Sequence, residues 1–157
     1  MSADTSIKFD GVDGEMTEPK GEVNVLAWNW DIAQPTNTQG GGLGMGQAVP
    51  GAFSFTHLYD KSSPVLAKHC AMGKHFETVK LSSRKAGDGQ LPFLTVTMKN
   101  VFITSCRPGG SSGGEITETV SAVYKDIEFA YKQQDSKGGT MGGEIKFGYN
   151  FDDKKSR

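Results

Sequence analysis

The residues able to do chemistry crowd into one stretch, HLYDKSSPVLAKHCAMGKHF at 57–76. It holds all three histidines, His57, His69 and His75, and Cys70, one of the two cysteines. These residue types build metal centres and acid–base or nucleophilic sites. Their spacing argues against both uses. His69 and Cys70 are consecutive, so on a helix their side chains diverge by about 100° and share no ligand position. Zinc ligands come in close pairs such as CxxC or HxxxH, and the chain has neither. No Asp or Glu follows a histidine at a useful spacing. The histidines are expected to be scattered surface and half-buried groups, with no metal or catalytic role.

Other stretches carry as little chemistry. GGGLGMGQAV (40–49) lacks the Lys-Ser/Thr of a phosphate loop, and Gln47 stands where a third glycine of G-x-G-x-x-G would be. Val49-Pro50-Gly51 then prevents the helix whose N-terminus would hold a phosphate. Trp28 and Trp30 share a face with Leu26 and Ile32 and are expected in the core rather than on a sugar-binding platform. The reading is no enzyme and no cofactor.

The elements that would position these residues are mostly strands. EVNVLAWNWDIAQ (22–34), AFSFTHLY (52–59), HFETVKLSSR (75–84), LPFLTVTMKNVFITSC (91–106) and EITETVSAVYKDIEFAYKQQ (115–134) are runs of β-formers. Short runs at 6–11 and 144–151 bring the set to about seven strands. Three long runs change phase midway. Val23 and Val25 give way to Leu26, Trp28 and Trp30. Leu94, Val96 and Met98 give way to Val101 and Ile103. Val120, Ala122 and Tyr124 give way to Ile127, Phe129 and Tyr131. A period-two strand cannot change its buried parity without an extra residue or a sharp twist, and β-bulges supply this at barrel corners. A run from Leu94 to Cys106 would span about 43 Å at 3.3 Å per residue, too long for one flat sheet here. The fold class is therefore mainly β, a small barrel of two coiled antiparallel sheets. One short helix, Pro64 to Met72, packs on its side. Ser63 serves as N-cap, Pro64 opens the helix and Gly73 closes it. Leu66 and Cys70 should face the barrel, with Val65 and Met72 nearby.

Composition limits the partners. The 157 residues suit one domain, 1–157. A net charge of −1 gives no basic patch for nucleic acid or anionic membrane, and no apolar stretch approaches the ~20 residues that span a bilayer. The opening MSADTSIKFDG has no signal-peptide pattern. Two cysteines, Cys70 and Cys106, form no framework and are expected as reduced thiols. Twenty-one glycines, about twice the usual ~7% share, cluster in loops. The longest such loop, about 36–50, is expected without secondary structure. Its glycines, Gly40, Gly41, Gly42, Gly44 and Gly46, leave Leu43 and Met45 as two apolar knobs.

In their order, these pieces resemble the Hcp family, the haemolysin-coregulated proteins of type VI secretion systems. IKFDGVDGE (7–15) is similar to the family's opening strand and turn, and VLAWNWDIAQP (25–35) to its tryptophan-bearing strand. GAFSFTHLYDKSSPVLAKHCAMGKHF (51–76) resembles its strand, Asp-Lys-Ser/Thr-Ser/Thr-Pro turn and single helix. LSSRKAG (81–87), LTVTMKNVFITSC (94–106), ETVSAVYKDIEFAY (118–131) and KFGYN (146–150) follow in family order. The resemblance implies a β-barrel subunit, homohexameric rings and stacking of rings into a hollow tube inside a contractile sheath. It implies spike and baseplate partners, effector proteins carried in the lumen, and assembly in the cytoplasm with export lacking a signal peptide. The chain's end at FDDKKSR is expected to leave no room for a fused effector domain. On this basis Asn29 and Asp31 should face the lumen, and Gly40–Gly46 should join stacked rings. Trp28, Trp30, Phe53, Phe55 and Leu66 should form the structural core. The competing class is a monomeric ligand-binding barrel, a lectin or carrier.

Overall fold

The computed structural model describes residues 3–37, 44–45, 47–85, 91–134 and 140–157. In chain order the elements are β1 (Ala3–Phe9), β2 (Val23–Asn29), β3 (Ile32–Ala33), β4 (Thr36–Asn37), β5 (Gly44–Met45), β6 (Val49–Pro50), β7 (Phe53–Leu58), α1 (Ser63–Met72), β8 (Phe76–Lys85), β9 (Pro92–Gly109), β10 (Thr117–Val123), β11 (Asp126–Gln134), β12 (Thr140–Asn150) and β13 (Lys155–Ser156). The main sheet runs β10-β7-β2-β1-β8-β9-β11-β12-β13, and β10 also pairs with β9. That extra pairing closes six strands into a barrel and leaves β11, β12 and β13 as a sheet continuing beyond it.

β9 makes the closure possible because one of its edges serves two partners. Its first half, Leu94 to Lys99, pairs with β11, and its second half, Phe102 to Gly109, pairs with β10. The turn between halves falls at Asn100, whose φ of 53° lies in the left-handed region that asparagine tolerates. Lys99 and Asn100 are both exposed between buried Met98 and Val101, as Glu77 and Thr78 are between buried Phe76 and Val79 on β8. Thr78 pairs with Lys99 and Phe76 with Val101 in unbroken register, so a twist shared by both strands restores the inward parity. In β2 a bulge does this instead. Val25 pairs with His57 and Ala27 with Thr56, which extrudes Leu26 as a bulge. The third phase change is a break rather than a bulge: the run 115–134 divides at Tyr124-Lys125 into β10 and β11.

The bulge corrects one expectation. Leu26 does not share a face with the tryptophans; it is exposed, and so is Ile32 beyond the strand's end. Trp28 and Trp30 are half-buried and pack against the core from its rim. Phe53 and Phe55 are buried on β7. Phe9 sits between Phe55 and Phe76, with ring centroids 5.8 and 5.1 Å away.

α1 starts one residue earlier than its sequence signals. Ser62 is the N-cap, and its side chain makes no cap bond. Asp60 organises the turn instead. Its Oδ1 accepts from the Ser62 amide at 2.9 Å and from the Ser62 hydroxyl, and its own amide donates to Ser63 Oγ at 3.1 Å. Gly73 ends the helix at φ 63°, a conformation that costs glycine little. Leu66 is fully buried and Cys70 half-buried against the core, whereas Val65 and Met72 face solvent.

The glycine-rich segment is not structureless where it is described. Ile32 and Ala33 pair with Pro50 and Val49, and Thr36 and Asn37 pair with Met45 and Gly44. These two short ladders make an arm out of what the sequence suggested was a loop. Its backbone groups find each other, as extended segments returning antiparallel can. Gly40, Gly41, Gly42, Leu43 and Gly46 lie outside the described residues.

Candidate assembly surfaces and a buried polar cluster

The outward face of β2, β7 and β10 is a ladder of small uncharged polar groups. Ser54 and Ser121 hydrogen-bond through their hydroxyls at 2.9 Å, and Thr56 and Thr119 do so at 3.1 Å. Asn29 lies opposite Ser54 and is exposed on the same ladder. Thr104 adds a bond from its hydroxyl to the Ser121 carbonyl at 3.1 Å. Strand pairing dictates this alignment, because directly opposed residues of antiparallel strands share a face. Asp31 is not on the ladder. It lies past the end of β2, where its carbonyl accepts the Gly51 amide at 2.8 Å and its side chain covers the place a Gly51 side chain would fill.

Behind this face, Trp28 stacks on Phe53 with ring centroids 5.7 Å apart, and Trp30 meets Phe129 at 4.7 Å. The Trp30 indole N–H donates to the Tyr124 hydroxyl, which donates to the Gly51 carbonyl at 2.7 Å. Burial pushes the Tyr124 phenol up to about 12, against the opposing effect of the Trp30 donor. Both polar tips of this aromatic rim are thus satisfied.

Exposed apolar side chains gather elsewhere. Tyr131 and Ile145 are opposed across β11 and β12 and both reach solvent, Ile145 at 72%. Leu91, just before β9, is also exposed. Ile32 and Val49 expose two more on the base of the arm.

The barrel interior holds a pair that sequence reasoning missed. His57 Nε2 lies 2.8 Å from Glu118 Oε1, with the side chains 0% and 1% exposed. The two residues are opposed across β7 and β10. His57 is therefore a core member, correcting its reading as a scattered surface or half-buried group. A parity signal was present: His57 follows Phe53 and Phe55 at steps of two, and Glu118 precedes Val120 and Ala122 the same way. His69 stacks on Phe76 at 4.3 Å, and His75 rests against Phe102 at 5.5 Å. The three histidines thus occupy separate packing roles, and no group of three potential metal ligands occurs among the described residues.

Near that pair, the thiols of Cys70 on α1 and Cys106 on β9 are free and half-buried. Burial pushes the Cys106 thiol up to about 11, with the Glu118 carboxylate and the adjacent Cys70 thiol adding to the rise.

At the opposite end of the chain Arg157 forms a clamp. Its two terminal nitrogens donate to Asp126 at 2.8 and 2.7 Å, and Nε reaches Glu128 at 3.3 Å. Gly148 and Arg157 exchange both backbone bonds. The guanidinium holds the Asp126 carboxyl below its usual range. A depressed folded pKa adds stability above the unfolded value, and that stability is lost as pH falls through the folded value. Arg157→Ala is therefore expected to lower stability by about 1 kcal/mol or less at pH 7, since the arginine is largely exposed. The difference from the parent should shrink as pH falls through and below the ordinary aspartate range. Urea titrations at pH 7 and pH 2.5 check this; an equal difference at both would show that the clamp acts through packing instead.

Residues 7–131 match the family model described as Type VI secretion system effector, Hcp. The chain is 37% identical to Protein hcp1 of Pseudomonas aeruginosa over 155 residues, covering 96% of each. Among solved structures, one described as a type six secretion system protein superposes with a TM-score of 0.92 at 29% identity, over 99% of this chain and all of the other. Hcp1 from Salmonella typhimurium superposes with a TM-score of 0.82 at 33% identity, over the whole of both chains. The match in sequence spans the tryptophan-bearing strand, the helix and the phase-switched strands, and the match in structure spans the closed barrel and its extension; the chain belongs to the Hcp family, the tube proteins of the type VI secretion system.

Proposed function

We propose that six copies of this chain close into a ring and that rings stack into a hollow tube. A contractile sheath expels the tube with spike and baseplate proteins at its end, and effector proteins travel in its lumen. Assembly is cytoplasmic and export is by the machine itself. The observation that carries this reading is the whole-length likeness to Hcp proteins in both sequence and fold. Two features support it. The hydroxyl ladder around Asn29, Ser54 and Thr119 suits a channel wall, because uncharged polar groups hold water without gripping one sign of cargo. The exposed apolar groups on the arm and on the β11–β12 extension suit contacts between subunits, which large exposed apolar surfaces commonly serve. Closure of the barrel removes most of the edges that could have held a ring by strand addition. The outer edge of β12 before Gly148 has no strand partner among the described residues, so ring contacts rest on faces as well as edges.

A ligand-binding barrel needs an internal chamber. Here Ile7, Phe9, Leu81, Val96, Met98 and Val120 are buried together in one core, which favours a filled barrel. Negative-stain images of the purified protein should show six-fold rings; a monomer at high micromolar concentration would overturn the proposal.

Asn29→Arg and Trp28→Ala separate the two faces of β2. Asn29→Arg should leave rings intact but reduce retention of a cargo effector. Trp28→Ala should cost about 2–3 kcal/mol, below the value for full burial. Equal loss of folding from both would contradict placement of Asn29 on the lumen. The arm has its own test. Deleting residues 40–46, or changing Leu43 and Met45 to Asp, should preserve the subunit and single rings while abolishing stacking and secretion. Normal tubes from either variant would show the segment idle.

A further inference from the structure

Cys70 and Cys106 are far apart in the chain, yet two features bring their thiols together. Cys70 follows Leu66 by one helical turn, so both face the barrel, and α1 packs chiefly on β9. On β9, Ser105 pairs with Ser121 and Ile103 with Ala122, which makes Thr104 a bulge. That bulge puts Cys106 on the inner face beside Val120, where strict alternation after Ile103 would have turned it outward. Both cysteines pack against the same core cluster, and neither is fully enclosed. We infer that Cys70 and Cys106 form a redox-responsive modification site, closing into a disulfide that pins α1 to β9 when the protein meets an oxidising small-molecule disulfide. Only the occasion for this, passage out of a reducing cytoplasm, rests on the export reading.

The chemistry is thiol–disulfide exchange. The Cys70 thiolate attacks one sulfur of the small disulfide; its S–S bond breaks and one thiolate leaves. Cys106 then gives up its proton and attacks the Cys70 sulfur, forming the internal S–S bond and expelling the second small thiolate. Two cysteine thiols are oxidised, one small disulfide is reduced, and the two protons end on the two released thiols. The order follows from the site. Cys106 is pushed up to about 11, so it holds its proton at neutral pH and is a poor first nucleophile. It serves as the resolving thiol once Cys70 carries the mixed disulfide beside it.

The test uses the full chain, purified reduced and then incubated with oxidised glutathione at pH 8. Expected is a mass loss of about 2 Da from two hydrogens, a Cys70–Cys106 peptide in a non-reducing digest, and a rise in Tm of about 5 °C or more. Dithiothreitol should reverse all three. Cys70→Ser with Cys106→Ser should still form rings but show none of the three, and Cys106→Ser alone should retain a glutathione adduct on Cys70. Stable adducts on both cysteines of the parent, disulfide-linked dimers, or an internal bond without thermal gain would each overturn the inference. Loss of rings alone would count against the tube reading and leave this one standing.

Discussion

Glu118→Ala is expected to cost about 3–5 kcal/mol of folding stability, because it strands a polar ring in the barrel core. His57 and Glu118 are both sealed from solvent, and 2.8 Å separates Nε2 from Oε1. The other ring nitrogen, Nδ1, has no protein partner. Without Glu118 the imidazole would retain no hydrogen bond to the protein at all. Phe55 beside it, with ring centroids 5.5 Å apart, offers none. His57→Leu should be comparably harmful, since it leaves a carboxylate buried and unpaired. The two changes together should cost far less than their sum, because replacing both partners by apolar groups removes the desolvation penalty along with the bond. A double-mutant cycle by urea denaturation should give a coupling of about 2 kcal/mol or more. Single variants costing under about 1 kcal/mol each, and adding simply, would show that water reaches the pair. The pair also fixes register. A one-residue slip of β7 against β10 would turn His57 outward and leave Glu118 alone inside.

Leu66→Ala is expected to cost about 3–4 kcal/mol, within the range for fully buried leucines, and to release α1 before the barrel. The helix has ten residues, shorter than the ~12–15 at which isolated helices become marginally stable. Its N-cap serine makes no side-chain capping bond to the helix amides. Packing must therefore hold it, and Leu66 is its only fully buried apolar side chain. Hydrogen exchange should show amides after Leu66 losing protection while those of β8 and β9 keep theirs. Protection that falls equally across helix and barrel would mean that α1 is part of the cooperative core.

Much of the fold was legible in the sequence because its signals are local. The pleat has period two, so parity changes after Val25, Met98 and Tyr124 mark where the inward face must be recovered. The structure recovers it with a bulge at Leu26, a twist at Asn100 and a break at Tyr124-Lys125. Pro64 and Gly73 bracketed the helix because each carries a backbone preference of its own. The order of these pieces carried the family. Tertiary structure alone decided which distant strands meet. β9 could have continued along β11, but its bend hands the second half to β10 and shuts the barrel. Pairing of β7 with β10 places Glu118 against His57, packing of α1 on β9 places Cys70 against Cys106, and strand return pairs the described ends of the glycine-rich segment into an arm. Such pairings depend on loop closure and on many weak cross-strand contacts summed over the whole sheet. No residue encodes them by itself, so parity could point His57 and Glu118 inward but could not say that they would touch.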